Sequence, residues 1–424
     1  MNIYRNKIKM KKHTLILSLA FCSFLNTFGQ SRYVGADVSL LPEYIAEGAK
    51  YKDQDGKPIE DLLDYLYDEG MRVMRVRLFV NPELFPGNQD PNACQDLAYI
   101  TPLCQEIKDK GYKLMLDFHY SDTWADPSNQ WIPSAWEGQT DEELTQTIYE
   151  YTSSSLKTLA ENGVVPDFIQ PGNEISYGFL WSRYGAPQSE QHKTFMGSSA
   201  NWDRFGKLLN NAIKACREEC PEAQIVIHTE RTSQINVQKN FYDQMEKLGV
   251  DYDIIGISYY PYFHGNMNVL NTALQSLETN FPTKDIMIVE TGYPYEWKVP
   301  GADSDSDYPY GLGSSAQNEF AKDLVKTLES HPKVTGLFWW WLEYNAYNTN
   351  LTGWYNAPLF DSRTGKATPA LKTICSFGSA AALDCLAIPE EFDNDSWFNL
   401  KGQKVKKETK GEILIHGNKK IINR

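Results

Sequence analysis

Two glutamates in the sequence each come directly after a short apolar run. Glu174 ends a stretch that begins at Phe168, and Glu290 ends a run that begins at Asp285. Cleavage of a glycosidic bond needs such a pair, one protonated carboxyl group for the leaving oxygen and one carboxylate facing the anomeric carbon. The acid needs a raised pKa, whereas the nucleophile must stay ionised. Glu174 and Glu290 are therefore candidates for this chemistry, and an ordinary solvated loop glutamate is the alternative for Glu174.

The elements that must position the two glutamates form a repeated pattern of short apolar runs and amphipathic helical stretches. Several of the helical stretches end in Gly or Asn-Gly, which is typical of a left-handed helix cap. The eight apolar runs cover residues 33–39, 73–80, 113–119, 168–170, 224–228, 254–258, 285–289 and 335–340. This alternation predicts an α/β fold of the (β/α)8 TIM-barrel type, in which the C-terminal ends of all strands meet at one face.

Polar and aromatic residues at these strand ends are predicted to bind the substrate together. We expect Arg77 to keep a neighbouring carboxylate charged, which fits a nucleophile at Glu290. The alternatives are a turn-forming role for Asn173 and a core role for each of His119 and His228. The predicted substrate contacts are Asp37, Arg77, His119, Trp124, Asn173, His228, Tyr259, Tyr260 and Trp340.

Composition points to a neutral polysaccharide as the partner. The 424 residues carry a net charge of −14, and the aromatic content is 13%, with 11 Trp and 25 Tyr. An acidic surface repels nucleic acid and other polyanions. Aromatic faces stack on the apolar faces of sugars, although filling of the core accounts for many of these rings. We therefore expect no nucleic-acid partner, and we expect a monomer.

The two ends of the chain differ in composition from its centre. Residues 1–29 read as a signal peptide, with five basic residues before a short apolar segment, and its removal leaves a net charge of about −19. We expect a catalytic domain over residues 30–378 and, over residues 379–424, a linker with a short β-hairpin-like tail. No segment reaches the ~20 apolar residues of a membrane span. The protein is thus predicted to be exported to the cell surface, the periplasm or the medium.

Six cysteines follow the leader: Cys94, Cys104, Cys216, Cys220, Cys375 and Cys385. An even number in an oxidising compartment favours disulfides, and the spacing favours three local pairs. A zinc site at Cys216 and Cys220 is the weaker alternative, because no further His or Cys cluster lies near them in the sequence.

Six stretches give the chain a resemblance to glycoside hydrolase family 53, the endo-β-1,4-galactanases. The most specific are the Asp117–Pro127 stretch and the Glu-Thr-Gly-Tyr-Pro sequence that begins at Glu290. The resemblance spans Tyr33 to about Phe377. The matching stretches are Gly35–Ser39, Arg75–Pro82, Asp117–Pro127, Gly172–Glu174, Ile257–Pro261 and Val289–Pro294.

The resemblance implies an endo-acting hydrolase of β-1,4-galactan that retains configuration. Glu174 is then the acid/base and Glu290 the nucleophile, and no cofactor is needed for catalysis. Bacterial members of the family are similar in holding a calcium ion after the seventh strand, which here implies Asp303, Asp305 and Asp307 as ligands. A solvated acidic loop is the alternative for these three residues. The alternative functions are a related glycanase acting on mannan or β-glucan, and a carbohydrate-binding protein without catalysis.

Overall fold

A closed barrel of eight parallel strands forms the centre of the molecule, as predicted. The computed structural model describes residues 32–194, 199–345 and 358–384, together with four short strands between 397 and 422. Each barrel strand pairs with its neighbours in the sequence, and the last pairs with the first. The strands are β1 (Tyr33–Asp37), β2 (Val73–Leu78), β3 (Lys113–Phe118), β4 (Phe168–Pro171), β5 (Gln224–Thr229), β6 (Ile254–Tyr259), β7 (Asp285–Thr291) and β8 (Val334–Trp339).

Helices connect the strands and cover the outside of the barrel. Their first turns carry the expected caps: Asp96 accepts a hydrogen bond from the Tyr99 amide, and Thr140 and Glu143 form a reciprocal capping box. The second helix begins at Leu62, because the side chain of Asp61 caps its first turn. The helices are Leu41–Ala46, Leu62–Asp68, Leu97–Asp109, Asp141–Glu161, Ser199–Glu219, Ile235–Lys247, Pro261–His264, Met267–Asn280, Ser314–Glu329 and Pro369–Asp384.

Alternating side chains of each strand divide between two cores. One set points into the barrel and fills its lower part, and the other packs against the helices. Gly35 on β1 allows close packing here, since a Cβ at this position would lie 2.2 Å from the Val73 carbonyl oxygen. The inner set is Val73, Met115, Phe168, Val226, Ile254, Met287, Val289 and Phe338. Residues further along the same inward rows therefore reach the floor of the barrel mouth.

The C-terminal segment contains a small antiparallel sheet. Its four strands are Trp397–Asn399, Lys404–Val405, Ile413–His416 and Lys419–Ile422, and the first lies between the second and the third. The sequence predicts two or three strands here, and the structure has four. The leader, residues 1–29, lies outside the described residues, and the domain boundaries stay a prediction. No helix in the described part of the chain is long and apolar enough to cross a membrane.

The described cysteines do not form the predicted local disulfides. Cys94, Cys104, Cys216, Cys220 and Cys375 all carry free thiols. Cys216 lies in the helix Ser199–Glu219, and the amide of Cys220 donates to its carbonyl as in a helical turn. Side chains four residues apart on a helix have Cβ atoms roughly 5–6 Å apart, which exceeds the roughly 3.5–4.5 Å of a disulfide. Cys385 lies outside the described residues.

Candidate active site

Glu174 and Glu290 lie at the same cleft at the C-terminal mouth of the barrel. Glu174 comes three residues after β4, and Glu290 is the last but one residue of β7. The cleft has a volume of about 710 Å³, and both glutamates line it. Its aromatic lining residues are Trp124, Tyr260, Phe263, Trp340 and Trp341. The barrel thus brings together two carboxyl groups that are far apart in the sequence.

Glu174 sits on a strained turn and is held by two neighbours. Its φ of 48° lies in the left-handed region, as do those of Tyr120 (48°) and Trp341 (58°), which follow β3 and β8 at the same mouth. Ser258 Oγ donates a hydrogen bond of 2.6 Å to Glu174 Oε1. The backbone N–H of Glu174 faces Nδ1 of His228 at 3.4 Å. The backbone and one carboxyl oxygen are therefore fixed.

The surroundings of Glu174 favour its protonated form. Burial raises its pKa well above the usual value, and the negative charges of Glu290 and Glu230 raise it further. The hydrogen bond from Ser258 acts in the opposite direction. No cation forms a salt bridge with Glu174 among the described residues. Such a carboxyl group suits a general acid.

Glu290 is more deeply buried than Glu174 and has strong partners for its charge. Arg75 Nη2 lies 2.9 Å from its Oε1, and the Tyr260 hydroxyl donates to its Oε2 at 3.1 Å. Burial is the main cause that raises the pKa of Glu290, and the Arg75 charge and the Tyr260 hydrogen bond limit the net rise to about 7. Because Glu174 lacks a comparable cation, Glu290 is the carboxyl group of the pair that ionises first.

Arg75 holds the floor of the site together. Besides Glu290, its guanidinium contacts Asp37 Oδ2 at 3.1 Å and Asp117 Oδ2 at 2.7 Å. Its Nη2 also donates to Asn173 Oδ1 at 2.8 Å. All these partners are buried. A single cation thus links β1, β2, β3 and β7 with the residue that precedes Glu174.

The prediction that Arg77 keeps Glu290 charged is wrong, because Arg75 performs this role. Both arginines face the barrel interior, since they are two residues apart on β2. The Arg77 guanidinium instead pairs with Asp37 Oδ1 at 2.9 Å. It lies 4.5 Å from the ring of Trp124 and 4.9 Å from that of Trp341. Arg77 therefore supports two aromatic walls of the cleft through cation–π contacts.

The predicted substrate contacts fall into two groups. His119, Trp124, Asn173, Tyr260 and Trp340 line the cleft with the two glutamates. Asp37, Arg77, His228 and Tyr259 are fully buried and do not line it. The structure places them beneath or behind the cleft, because an inward-facing strand end can lie beneath the mouth, and an outward-facing one packs behind it.

Tyr259 shows the second case. It alternates with Ser258 and Tyr260, so its ring points away from the barrel interior. The ring packs 6.4 Å from that of Phe320, and its hydroxyl donates to the Gly265 carbonyl at 2.9 Å. Asp37 and His228 show the first case, since both face inward and hold other residues of the site.

Four residues of the site were not among the predicted site residues. Arg75 lies in the middle of β2, Asp117 is the last but one residue of β3, and Ser258 is small and polar without an evident function in the sequence. Glu230 directly follows β5 and lines the cleft, where its Oε1 accepts a hydrogen bond from Ser176 and forms a salt bridge of 2.7 Å with Arg231 Nε. A signal was available for the first two, because charged residues on an inward row of a barrel strand must have partners.

The three aspartates predicted to bind calcium do not form a metal site. Lys298 Nζ contacts Asp305 at 2.7 Å and the Asp303 carbonyl oxygen at 2.7 Å. Asp307 Oδ2 accepts from the Ser304 amide in a helix-capping box. No cluster of potential metal ligands occurs in the described ranges. The loop is thus fixed by an ammonium group and a cap, and its carboxylates do not fit a calcium site.

The cleft at the mouth of the (β/α)8 barrel is lined by aromatic residues and contains two glutamates. One is paired to arginine, and the other is partly buried without a salt bridge to any described residue. These features define a glycoside hydrolase. Comparison with known proteins gives the family. The profile of glycosyl hydrolase family 53 matches residues 33–374, and the chain belongs to this family.

Relatives and solved structures agree with this assignment. An arabinogalactan endo-beta-1,4-galactanase of Cellvibrio japonicus is 32% identical over 80% of this chain and 89% of its own length. One from Aspergillus niger is 29% identical over 75% of this chain and 88% of its own. The family 53 catalytic domain of Ignisphaera aggregans superposes with a TM-score of 0.69 at 33% identity, covering 82% of this chain and 96% of that domain.

Proposed function

We propose that this protein is a retaining endo-β-1,4-galactanase that cleaves the galactan side chains of pectin. Family membership and the names of the relatives from Cellvibrio japonicus and Aspergillus niger support the substrate. The observation that carries the mechanism is the difference in charged partners between the two glutamates. Glu290 contacts Arg75 and Tyr260, whereas Glu174 is partly buried without a salt-bridge partner among the described residues.

In the first step, the Glu290 carboxylate attacks the anomeric carbon and forms a covalent glycosyl ester. Glu174 donates its proton to the departing glycosidic oxygen as the carbon–oxygen bond breaks. In the second step, Glu174, now a carboxylate, removes a proton from water. The resulting hydroxide oxygen attacks the anomeric carbon and releases Glu290. Two displacements on the same carbon retain its configuration, and neither step uses a cofactor.

Residues of the cleft bind the polysaccharide in this proposal. The rings of Trp124 and Trp340 supply stacking surfaces for sugars, and Phe263 adds a half-exposed ring at the edge. The amide of Asn173 is fixed, since Arg75 bonds its oxygen and the Ala125 carbonyl accepts from its nitrogen at 2.8 Å. This leaves one amide N–H of Asn173 for a sugar hydroxyl.

The cellular setting is also part of the proposal. A substrate too large to enter a cell requires an exported enzyme, and residues 1–29 have the charge and length pattern of a leader. We propose that the exported enzyme acts as a monomer. Detection of the mature N-terminus at Gln30 in culture supernatant and a monomer mass in solution are the expected results.

The function is tested by incubating the protein with linear β-1,4-galactan and sizing the products. Internal cleavage yields intermediate oligosaccharides early in the reaction, with the β-anomer formed first. Parallel incubations with mannan and β-glucan test the related glycanases, and cleavage of these but not of galactan refutes the proposed substrate. Binding of galactan without cleavage assigns the chain to the non-catalytic class.

Variants of the pair test the assigned roles. Glu290→Ala removes the nucleophile and Glu174→Ala removes the acid/base, so each is expected to lower kcat/KM on galactan by about 10³-fold or more. Exogenous azide can react in place of a missing nucleophile or of base-activated water. The anomeric configuration of the glycosyl azide then shows which of the two carboxyl groups was removed. An α-azide product with Glu290→Ala and a β-azide product with Glu174→Ala are expected. Unchanged cleavage by Glu290→Ala contradicts the mechanism.

A further inference from the structure

A chain of hydrogen bonds runs beneath Glu174 through two buried residues that do not line the cleft. Ser258 Oγ donates to Glu174 Oε1 at 2.6 Å, and His228 Nε2 lies 2.8 Å from the same Ser258 oxygen. Ser258 and His228 are both fully shielded from solvent. Ser258 lies opposite Glu290 in the strand pairing, but its hydroxyl contacts Glu174 and His228, so the hydrogen-bond chain serves Glu174.

The contacts at Nδ1, the second nitrogen of the His228 ring, determine which atoms donate and which accept along this chain of hydrogen bonds. The side-chain amide of Gln170 lies 3.1 Å from Nδ1, and the backbone N–H of Glu174 lies 3.4 Å from it. The Gln170 nitrogen is identified by its 2.6 Å bond to the carboxylate of Asp117. Two N–H groups therefore face Nδ1, which favours a lone pair on this atom and a ring proton on Nε2.

One acceptor, the side-chain oxygen of Asn173, also lies near Nδ1, and a charged donor occupies one of its two lone pairs. Asn173 Oδ1 is 3.0 Å from Nδ1, and it accepts from Arg75 Nη2 at 2.8 Å. The imidazole itself is neutral: burial lowers the pKa of His228 well below its usual value, and the Arg75 charge adds to this. A neutral ring with its proton on Nε2 donates to Ser258, whose own proton then points at Glu174.

We propose that Ser258 and His228 are positioning residues that determine which oxygen of Glu174 carries the catalytic proton. Because Oε1 accepts the Ser258 proton, the acidic proton resides on Oε2. It passes from Oε2 to the glycosidic oxygen as the bond to the leaving sugar breaks, and Oε1 stays bound to Ser258. In the second half of the reaction, Oε2 takes the proton from water. This inference rests on the proposed acid/base role of Glu174.

The test uses substrates that differ in their need for a proton. A phenyl β-galactobioside has a poor leaving group that requires protonation, whereas the 2,4-dinitrophenyl compound leaves without it. Ser258→Ala is expected to lower kcat/KM about 10- to 100-fold on the phenyl compound and less than about twofold on the dinitrophenyl compound. An equal loss on both substrates, or no loss on either, overturns the proposal.

A matched control is available in Thr232. Its hydroxyl is fully buried and donates to the backbone carbonyl of Ser258 at 2.7 Å, without contact with Glu174. Thr232→Val removes one hydroxyl next to the same residue and is expected to change the two rates equally. A selective loss on the phenyl compound in this variant refutes the assignment to the Ser258 hydroxyl. Failure of the wild type on galactan and on both aryl substrates instead rejects the proposed function.

The tautomer is tested separately from activity. The ring ¹⁵N shifts of His228 in the labelled protein distinguish a proton on Nε2 from one on Nδ1. A protonated Nε2 with a bare Nδ1 is the expected result, and the opposite tautomer overturns the proposed direction of the chain. Ser258→Ala removes the acceptor of the Nε2 proton, so it assigns the signal by shifting it.

Discussion

Replacement of Tyr260 by phenylalanine should move the acidic limb of the pH–activity profile to higher pH. The Tyr260 hydroxyl donates a hydrogen bond of 3.1 Å to Glu290 Oε2. A donor of this kind stabilises the ionised carboxylate and therefore lowers its pKa. Without it, Glu290 holds its proton to higher pH, and a protonated Glu290 cannot act as the nucleophile.

The size of the shift follows from the contact. A hydrogen bond to a charged group contributes about 1.5–3 kcal/mol, and one pKa unit corresponds to about 1.36 kcal/mol. The upper limit is thus about 2 units, and competition from water that enters the site reduces it to about 1. Since burial places the pKa of Glu290 at about 7, the limb should rise above neutral pH in the variant. At pH values below the acidic limb, kcat/KM of the variant should be about tenfold lower than that of the wild type.

The assay is kcat/KM on galactan across pH, because this parameter reports the ionisation of the free enzyme. Tyr259→Phe is the matched control, because it also removes one tyrosine hydroxyl. This hydroxyl donates to the Gly265 carbonyl outside the barrel and does not contact Glu290. Its acidic limb should stay in place. If Tyr260→Phe leaves the acidic limb unmoved, or moves it to lower pH, Glu290 is not the group whose ionisation controls the reaction.

Three further predictions concern charges around the site. Glu230→Gln removes a negative charge that helps to raise the pKa of Glu174, so the basic limb of kcat/KM should move to lower pH, and a move to higher pH contradicts this. Burial is the main cause that raises the pKa of Glu343 to about 8, so this carboxyl group keeps its proton on folding and the free energy of unfolding falls as pH rises from about 4.5 towards 8. Glu343→Gln should therefore have a higher melting temperature than the wild type at pH 8 and the same melting temperature near pH 4. Chelation by EDTA should leave the melting temperature unchanged, because Lys298 binds Asp305 where a cation was expected, and a clear fall would show that a metal orders this loop.

The fold was predictable because its signals are local and repeated. Each barrel strand is a short apolar run, and each following helix has caps and breakers that can be read without tertiary information. The pair Glu174 and Glu290 was predictable for a related reason, since parallel strands in a barrel end at one face. The residues that end the strands therefore had to meet, whatever their separation in the chain.

The depth of each side chain was not predictable in this way. Arg75 and Arg77 share a row on β2, and only the packed barrel shows that the first reaches Glu290 while the second lies against Trp124. Tyr259 ends β6 but points away from the barrel interior, because a position at the end of a strand fixes the height of a residue in the barrel but not the side to which its ring points. Counting inward residues from Val73 or Ile254 at the barrel floor corrects such errors.

The left-handed backbone of Glu174 has a consequence for engineering and for evolution. A non-glycine residue in this conformation costs about 1–3 kcal/mol, which the packed barrel must offset, and asparagine or glycine tolerates it better. A screen for heat resistance alone would therefore favour Glu174→Asn or Glu174→Gly and so remove the proposed acid/base. Tyr120 and Trp341 share the same backbone strain at the same mouth. Substitutions that raise the melting temperature of this enzyme are best placed on the outer helices and at the opposite end of the barrel, because stabilisation there does not alter the cleft.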